Sequence, residues 1–132
     1  MKYKYLIVAC ITVLCLGCNL RRANTSEVED NKDLIVLADS ILFYFQQEQF
    51  DKIVDHFDVI LNMKLNKEQL AVVWAQLNTQ VGTYTRSEFY SLEKVNDIGN
   101  KVIYKSYFGS QQLYFQLVVG KENQIKGLFF TP

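Results

Sequence analysis

Cysteine is confined to the first 18 residues of this 132-residue chain, as Cys10, Cys15 and Cys18. The sequence from residue 19 onward therefore has no disulfide, no thiol nucleophile and no cysteine ligand for a metal. A domain formed there must draw its stability from packing alone. The chain's 9 Phe and 8 Tyr supply large side chains for such a core.

Histidine is almost as scarce, with His56 as the single example. A structural zinc site needs four ligands, mostly cysteine and histidine, so we expect no metal site. The chain also lacks the G-x-S-x-G motif of serine hydrolases and the glycine-rich loops G-x-x-x-x-G-K-[ST] and G-x-G-x-x-G that bind nucleotides. We therefore expect no cofactor, and a surface or boundary position for His56.

The chain has no excess of positive or negative charge, since it contains 14 basic and 14 acidic residues. Without Lys2 and Lys4, which belong to the targeting segment described next, 12 basic residues remain and the net charge is about −2. No basic face is implied, and nucleic acid is not an expected partner.

Residues 1–17 have the pattern of a signal peptide. Lys2 and Lys4 precede an apolar run over residues 6–16. As a helix this run spans about 16 Å, well short of the ~30 Å hydrocarbon core of a membrane. Its end, LCLGC over residues 14–18, resembles the lipobox of bacterial lipoproteins, although Cys15 stands where leucine is usual.

The lipobox resemblance implies cleavage before Cys18 and attachment of diacylglycerol to the Cys18 sulfur. It also implies a membrane-anchored location in the bacterial cell envelope, outside the cytoplasm. The polar residues 18–32 would form the anchor and a flexible tether. The alternative is an ordinary secretory signal with a chance cysteine.

The pattern of residues 33–132 predicts one α+β domain that begins with three helices. The first apolar stripe at helical spacing consists of Leu34, Leu37, Ala38, Ile41, Leu42 and Phe45. The second helix is predicted to run from Phe50 to Ile60 or Leu61. Asn66 and Gln69 are spaced as a capping box for the third helix, and Gly82 is its expected end.

Beyond residue 82 the apolar period changes from helical to alternating. Turn sequences at residues 96–100, 109–110 and 120–124 separate four such runs. Helices followed by strands, with short turns between the strands, predict an antiparallel four-stranded meander packed on the helices.

The chain from about residue 50 to residue 130 resembles the bacterial domain of unknown function 3887. The resemblance is carried by Phe50-Asp51 with Phe57-Asp58, by the spacing Leu70, Trp74, Leu77, Gly82, and by the ending IKGLFF. It implies the nuclear transport factor 2-like (cystatin-like) fold, with helices cradled by a curved antiparallel sheet. In other bacterial proteins this domain can precede an α/β-hydrolase domain, but the resemblance transfers no catalytic residue to this chain.

Three groups of residues are candidates for a site. Trp74, Tyr104 and Phe115 are candidates to line a cavity between helices and sheet, although large aromatic residues at core spacing more often fill a core. The second group is a candidate interface on the open face of the sheet, made of Ile103, Tyr107, Tyr114 and Val118.

The third group is a row of acidic residues on the second predicted helix, made of Asp51, Asp55 and Asp58. This row is either a solvated helix face, which we favour, or a cation site.

The sequence thus leaves two hypotheses of different classes. The preferred one is a non-enzymatic binding or protein-interaction module, anchored to the membrane through Cys18, with a protein partner or a second copy on its sheet face. The other is a small-ligand carrier or low-specificity enzyme that uses the cavity, with His56 or a buried acid as the base.

Overall fold

The computed structural model describes residues 30–132. The predicted signal peptide, Cys18 and nearly all of the predicted tether lie outside these residues. Within them the helices are α1 (Lys32–Gln46), α2 (Phe50–Val54), α3 (Val59–Lys64) and α4 (Lys67–Val81), and the strands are β1 (Tyr84–Val95), β2 (Gly99–Phe108), β3 (Gln111–Gly120) and β4 (Ile125–Thr131). None of the described helices is long and apolar enough to cross a membrane.

The predicted number of three helices is wrong, because the second one is divided into α2 and α3. Helix α2 ends at Val54, and Phe57 forms a parallel β-bridge with Ile125. The Ile125 amide donates to the His56 carbonyl at 2.8 Å, and the Asp58 amide donates to the Ile125 carbonyl at 2.9 Å. Asp58 then caps α3, since its carboxylate accepts from the Leu61 amide.

Helix α4 begins and ends as predicted. The Gln69 amide donates to the Asn66 side chain at 2.9 Å, and the Gln69 side chain accepts from the Asn66 amide at 3.0 Å. Two backbone amides at the start of the helix, which have no carbonyl partner within it, thereby gain hydrogen bonds. Gly82 ends the helix with a φ of 97°, and a Cβ there would lie 2.8 Å from the Gly109 Cα. The absence of a side chain thus lets the end of α4 touch the β2–β3 turn.

The predicted meander is confirmed. The four strands form one antiparallel sheet in the order β1-β2-β3-β4. Irregularities of register occur at Thr85 and Tyr90 in β1, and Lys126 is the extra residue where β4 pairs with β3. The α+β class with a four-stranded antiparallel sheet is therefore confirmed.

The core lies between the helices and one face of the sheet. Five residues of the predicted stripe of helix α1 are buried, namely Leu34, Ala38, Ile41, Leu42 and Phe45. The sixth, Leu37, is half-buried and packs against the core. The strands contribute alternate residues, such as Val102, Phe108, Leu113, Phe115, Leu117 and Val119. This alternation leaves the other face of the sheet without a helix among the described residues.

Candidate functional site

Trp74 and Phe115 belong to one aromatic cluster in the core. The Trp74 ring lies 4.8 Å from that of Phe45 and 5.8 Å from that of Phe130, measured between centroids. Phe115 contacts the same two residues, with its centroid 5.1 Å from that of Phe130. Trp74 is 5% exposed and Phe115 is fully buried. These two predicted pocket residues therefore share neighbours, and their side chains fill the space between helices and sheet.

Tyr104, the third predicted pocket residue, lies in a different environment. Its hydroxyl donates to Asp39 Oδ1 at 2.6 Å, and its ring lies 5.8 Å from that of Phe89. Burial, together with the hydrogen bond to the Asp39 carboxylate, raises the pKa of Tyr104 far above its ordinary value. The phenol therefore keeps its proton at neutral pH and acts as a donor.

A chain of hydroxyl groups lies beside this pair on the helix-facing side of the sheet. The hydroxyls of Tyr84 and Ser87 are 2.9 Å apart, and those of Ser87 and Ser106 are 2.7 Å apart. Burial is the main reason why the pKa of Tyr84 is raised, and the negative charge of Asp39 adds to it. Both tyrosines are thus hydrogen-bond donors rather than bases at neutral pH.

Two hollows open to solvent border these groups. One, of about 310 Å³, is lined by Trp74, Asn78, Tyr84 and their neighbours. The other, of about 340 Å³, lies along α1 and is lined by Val36, Asp39, Ser40, Phe43 and Tyr44. Asp39 therefore belongs both to a surface hollow and to the contact with Tyr104.

The predicted acidic row is not one surface. Asp51 and Asp55 are exposed, whereas Asp58 is buried and receives hydrogen bonds from the Leu61 amide at 2.8 Å and the Lys126 ammonium at 3.2 Å. No cluster of His, Cys, Asp and Glu suited to a metal is found among residues 30–132. His56 is half-buried at the junction between α2 and α3.

The Asp58 contacts predict a pH-dependent stability. The hydrogen bond from the Leu61 amide, with help from Lys126 and against the effect of burial, holds the pKa of Asp58 below its ordinary value. A lowered pKa in the folded state stabilises the protein above about pH 4 and ceases to do so as the pH falls through the folded-state pKa. Asp58→Ala should therefore lower the free energy of unfolding at pH 7 by about 1–3 kcal/mol.

Urea denaturation at pH 7 and pH 3 measures this effect. The difference between the wild type and Asp58→Ala should shrink at pH 3, because this pH lies below the ordinary aspartate pKa and the unfolded chain then binds the proton more readily than the folded one. Asp58→Asn is the matched control, because the amide can still cap α3 but carries no charge, and it should lose less stability than Asp58→Ala. A loss for Asp58→Ala that is equal at both pH values would contradict the role of the charge.

The open face of the sheet carries the predicted interface residues. Tyr107, Tyr114 and Val118 are half-buried there. Ile103 is only 6% exposed, because it lies in the middle of β2 between Ser91 on β1 and Gln116 on β3. Ile103 thus contributes little to the accessible part of this face.

Charged and aromatic side chains pair across the open face. The Arg86 guanidinium lies over the Tyr107 ring, 4.1 Å from its centroid, and the Lys105 ammonium lies 4.9 Å from that of Tyr90. Tyr90 packs in turn on Tyr114, with centroids 5.3 Å apart. The face is therefore a set of tyrosine rings with cations stacked on them, rather than the purely apolar surface that alternation suggests.

Sequence reasoning missed Asp39, Ser87 and Ser106. Ser106 could have been noticed in the sequence. It is a polar residue between Tyr104 and Phe108, at a strand position where the alternating pattern predicts an apolar residue facing the helices. Nothing in the sequence links Asp39 to Tyr104, which is 65 residues away.

Comparison with known proteins agrees with the sequence resemblance. The model of a family described as protein of unknown function (DUF3887) matches residues 38–128, which span α1 to β4. No curated protein matches the chain, and no solved structure matches it. The match covers most of the chain, and the chain therefore belongs to the DUF3887 family.

Proposed function

We propose that this chain is a lipoprotein of the bacterial cell envelope, anchored through a diacylglyceryl group on Cys18, whose domain binds a protein partner through the open face of its sheet. The anchor is supported by the apolar run over residues 6–16 and the Gly17-Cys18 pair that follows it. We also assign the domain to the nuclear transport factor 2-like fold. That assignment is supported by helices that precede an antiparallel meander and pack on one of its faces.

The observation that carries the binding proposal is the composition of the open face. Tyrosine and arginine are the residue types enriched among those that dominate binding energy at protein interfaces. Here Arg86 stacks on Tyr107, and Tyr90 packs on Tyr114, on the same face of the sheet. Side chains fixed before binding lose little conformational entropy when a partner covers them.

The interaction module is favoured over a small-ligand carrier by the packing of the core. Phe45, Trp74 and Phe115 occupy the space in which a ligand would lie. A carrier that held its ligand in the core would have to displace at least one of these buried rings, and the exposure of an aromatic side chain costs about 1.5–3 kcal/mol.

Site-specific photocrosslinking in the host cell tests the binding proposal. Tyr107 and Tyr114 are replaced one at a time by benzoylphenylalanine, and Gln76, an exposed residue of α4, is replaced in the same way as the control. We expect a discrete adduct after irradiation at both tyrosine positions and none at Gln76. An adduct of twice the protomer mass would identify the partner as a second copy of the chain.

Two results would contradict the proposal. One is the absence of adducts at both tyrosine positions while the protein is folded and abundant. The other is equal adduct formation at Gln76, which would show collision rather than a specific interface.

A further inference from the structure

Helix α3 exposes an apolar face that no described residue covers. Val59, Ile60 and Met63 are 75%, 63% and 82% exposed. They lie at positions i, i+1 and i+4 of a single six-residue helix and so share one side of it. No residue of α3 is fully buried, and only Leu61 packs against the core. These side chains contribute little to folding and remain in contact with water.

The chain around α3 is held firmly despite this exposure. Asp58 caps the helix and pairs with Lys126 of β4. The preceding residue, Phe57, is bridged to Ile125. The Leu65 amide closes the last turn by donating to the Leu61 carbonyl at 2.9 Å. The three apolar side chains are therefore presented on a fixed support.

Two lysines, Lys64 and Lys67, lie next to these residues in the chain. The neighbouring acidic residues are Glu68, which is exposed, and Asp58, which pairs with Lys126. Both lysines are exposed. Aliphatic side chains beside lysines are the composition of helices that lie at the surface of an anionic membrane, with apolar groups at the acyl boundary and ammonium groups among the phosphates.

We propose that this surface, made of Val59, Ile60, Met63, Lys64 and Lys67 and named here the α3 face, rests on the phospholipid membrane that holds the lipid anchor. The inference depends on the anchor in the proposed function. A single six-residue helix offers too little area for a stable protein interface, which buries about 800 Å² on each partner. It is sufficient for a membrane contact, because the anchor already keeps the domain close to the lipid.

The length of the tether allows this contact. Twelve residues lead from Cys18 to Asp30, the first described residue, and when extended they span at most about 40 Å. A domain of about 100 residues has a radius of gyration of about 13 Å. The tether can therefore bring any side of the domain to the membrane. The orientation then depends on which side gains the most free energy when its apolar side chains leave water.

A fluorescent probe on the α3 face tests the proposal. The full chain carries Met63→Cys, and after acylation of Cys18 the introduced cysteine holds the only free thiol of the mature protein. The protein is labelled with the environment-sensitive dye NBD and reconstituted into vesicles that contain phosphatidylglycerol. Val72→Cys, at an exposed apolar residue of α4, is the matched control. We expect NBD at position 63 to emit at shorter wavelength and to be quenched by spin-labelled lipid, and NBD at position 72 to remain in water.

The outcomes separate this inference from the anchor on which it rests. Flotation of the protein with the vesicles reports the anchor independently of the dye. Flotation with an aqueous spectrum at position 63 would overturn the α3 face and leave the anchor intact. A shifted spectrum already present without vesicles would overturn it in favour of a second copy on the same face. Failure to float would refute the anchor and this inference with it.

Discussion

Trp74→Ala should lower the free energy of unfolding by about 3–5 kcal/mol, the usual cost of removing a buried tryptophan or phenylalanine side chain. The Trp74 ring has four aromatic neighbours at centroid distances of 4.8–5.9 Å, namely Phe45, Tyr84, Phe108 and Phe130. Helix α4 would lose the ring that packs on Phe45 of α1 and on Phe108 and Phe130 of the sheet. Since domains of this size are stable by about 5–15 kcal/mol, the loss is a large part of the total.

Urea denaturation followed by circular dichroism measures this loss, because Trp74 is the only tryptophan and its fluorescence disappears with the substitution. Val72→Ala lies in the same helix at a residue that is 55% exposed, and it should change the stability by no more than about 0.5 kcal/mol. A loss below about 1 kcal/mol for Trp74→Ala would be incompatible with a packed aromatic cluster.

Cys18→Ala should abolish the incorporation of fatty acid into the protein. In the proposed lipoprotein the thioether to diacylglycerol forms on the Cys18 sulfur, and alanine offers no nucleophile in its place. Cells grown with an alkyne-tagged fatty acid, followed by purification and coupling of a dye to the alkyne, measure the incorporation directly. The wild type should carry the label and Cys18→Ala should carry none.

Cys10→Ala is the matched control, since Cys10 lies in the apolar run of the proposed signal peptide and outside the lipobox-like residues 14–18. It should keep the label at the level of the wild type. Label that persists in Cys18→Ala would place the acyl group elsewhere, and label that is absent from all three proteins would refute the lipoprotein proposal.

The architecture was largely predictable because local signals agree with it. Helix α4 has its capping box at Asn66 and Gln69 and its terminator at Gly82, and the structure places all three as predicted. The strands follow from alternation interrupted by turn residues. Contacts close in sequence determine each of these features, and a single chain displays them directly.

The features that escaped prediction depend on partners distant in the chain. The break between α2 and α3 requires Ile125, whose backbone competes with the helix for His56 and Asp58. The hydrogen bond between Tyr104 and Asp39 joins a strand to a helix. The periodicity of each element does not show which residue of the helix lies opposite which residue of the strand. Ile103 is covered by its neighbours on adjacent strands. The alternating pattern along one strand cannot predict this burial.

The bridge between the α2–α3 junction and β4 has a consequence for biogenesis. Asp58 and Lys126 are 68 residues apart in the chain, so the junction cannot close until the last strand is available. Contacts of such long separation form late, because a large loop must be ordered before they contribute stability. The α2–α3 junction is therefore completed only once β4 has been synthesised and has paired with it. Until then the His56 carbonyl and the Asp58 amide lack their partner, the backbone of Ile125.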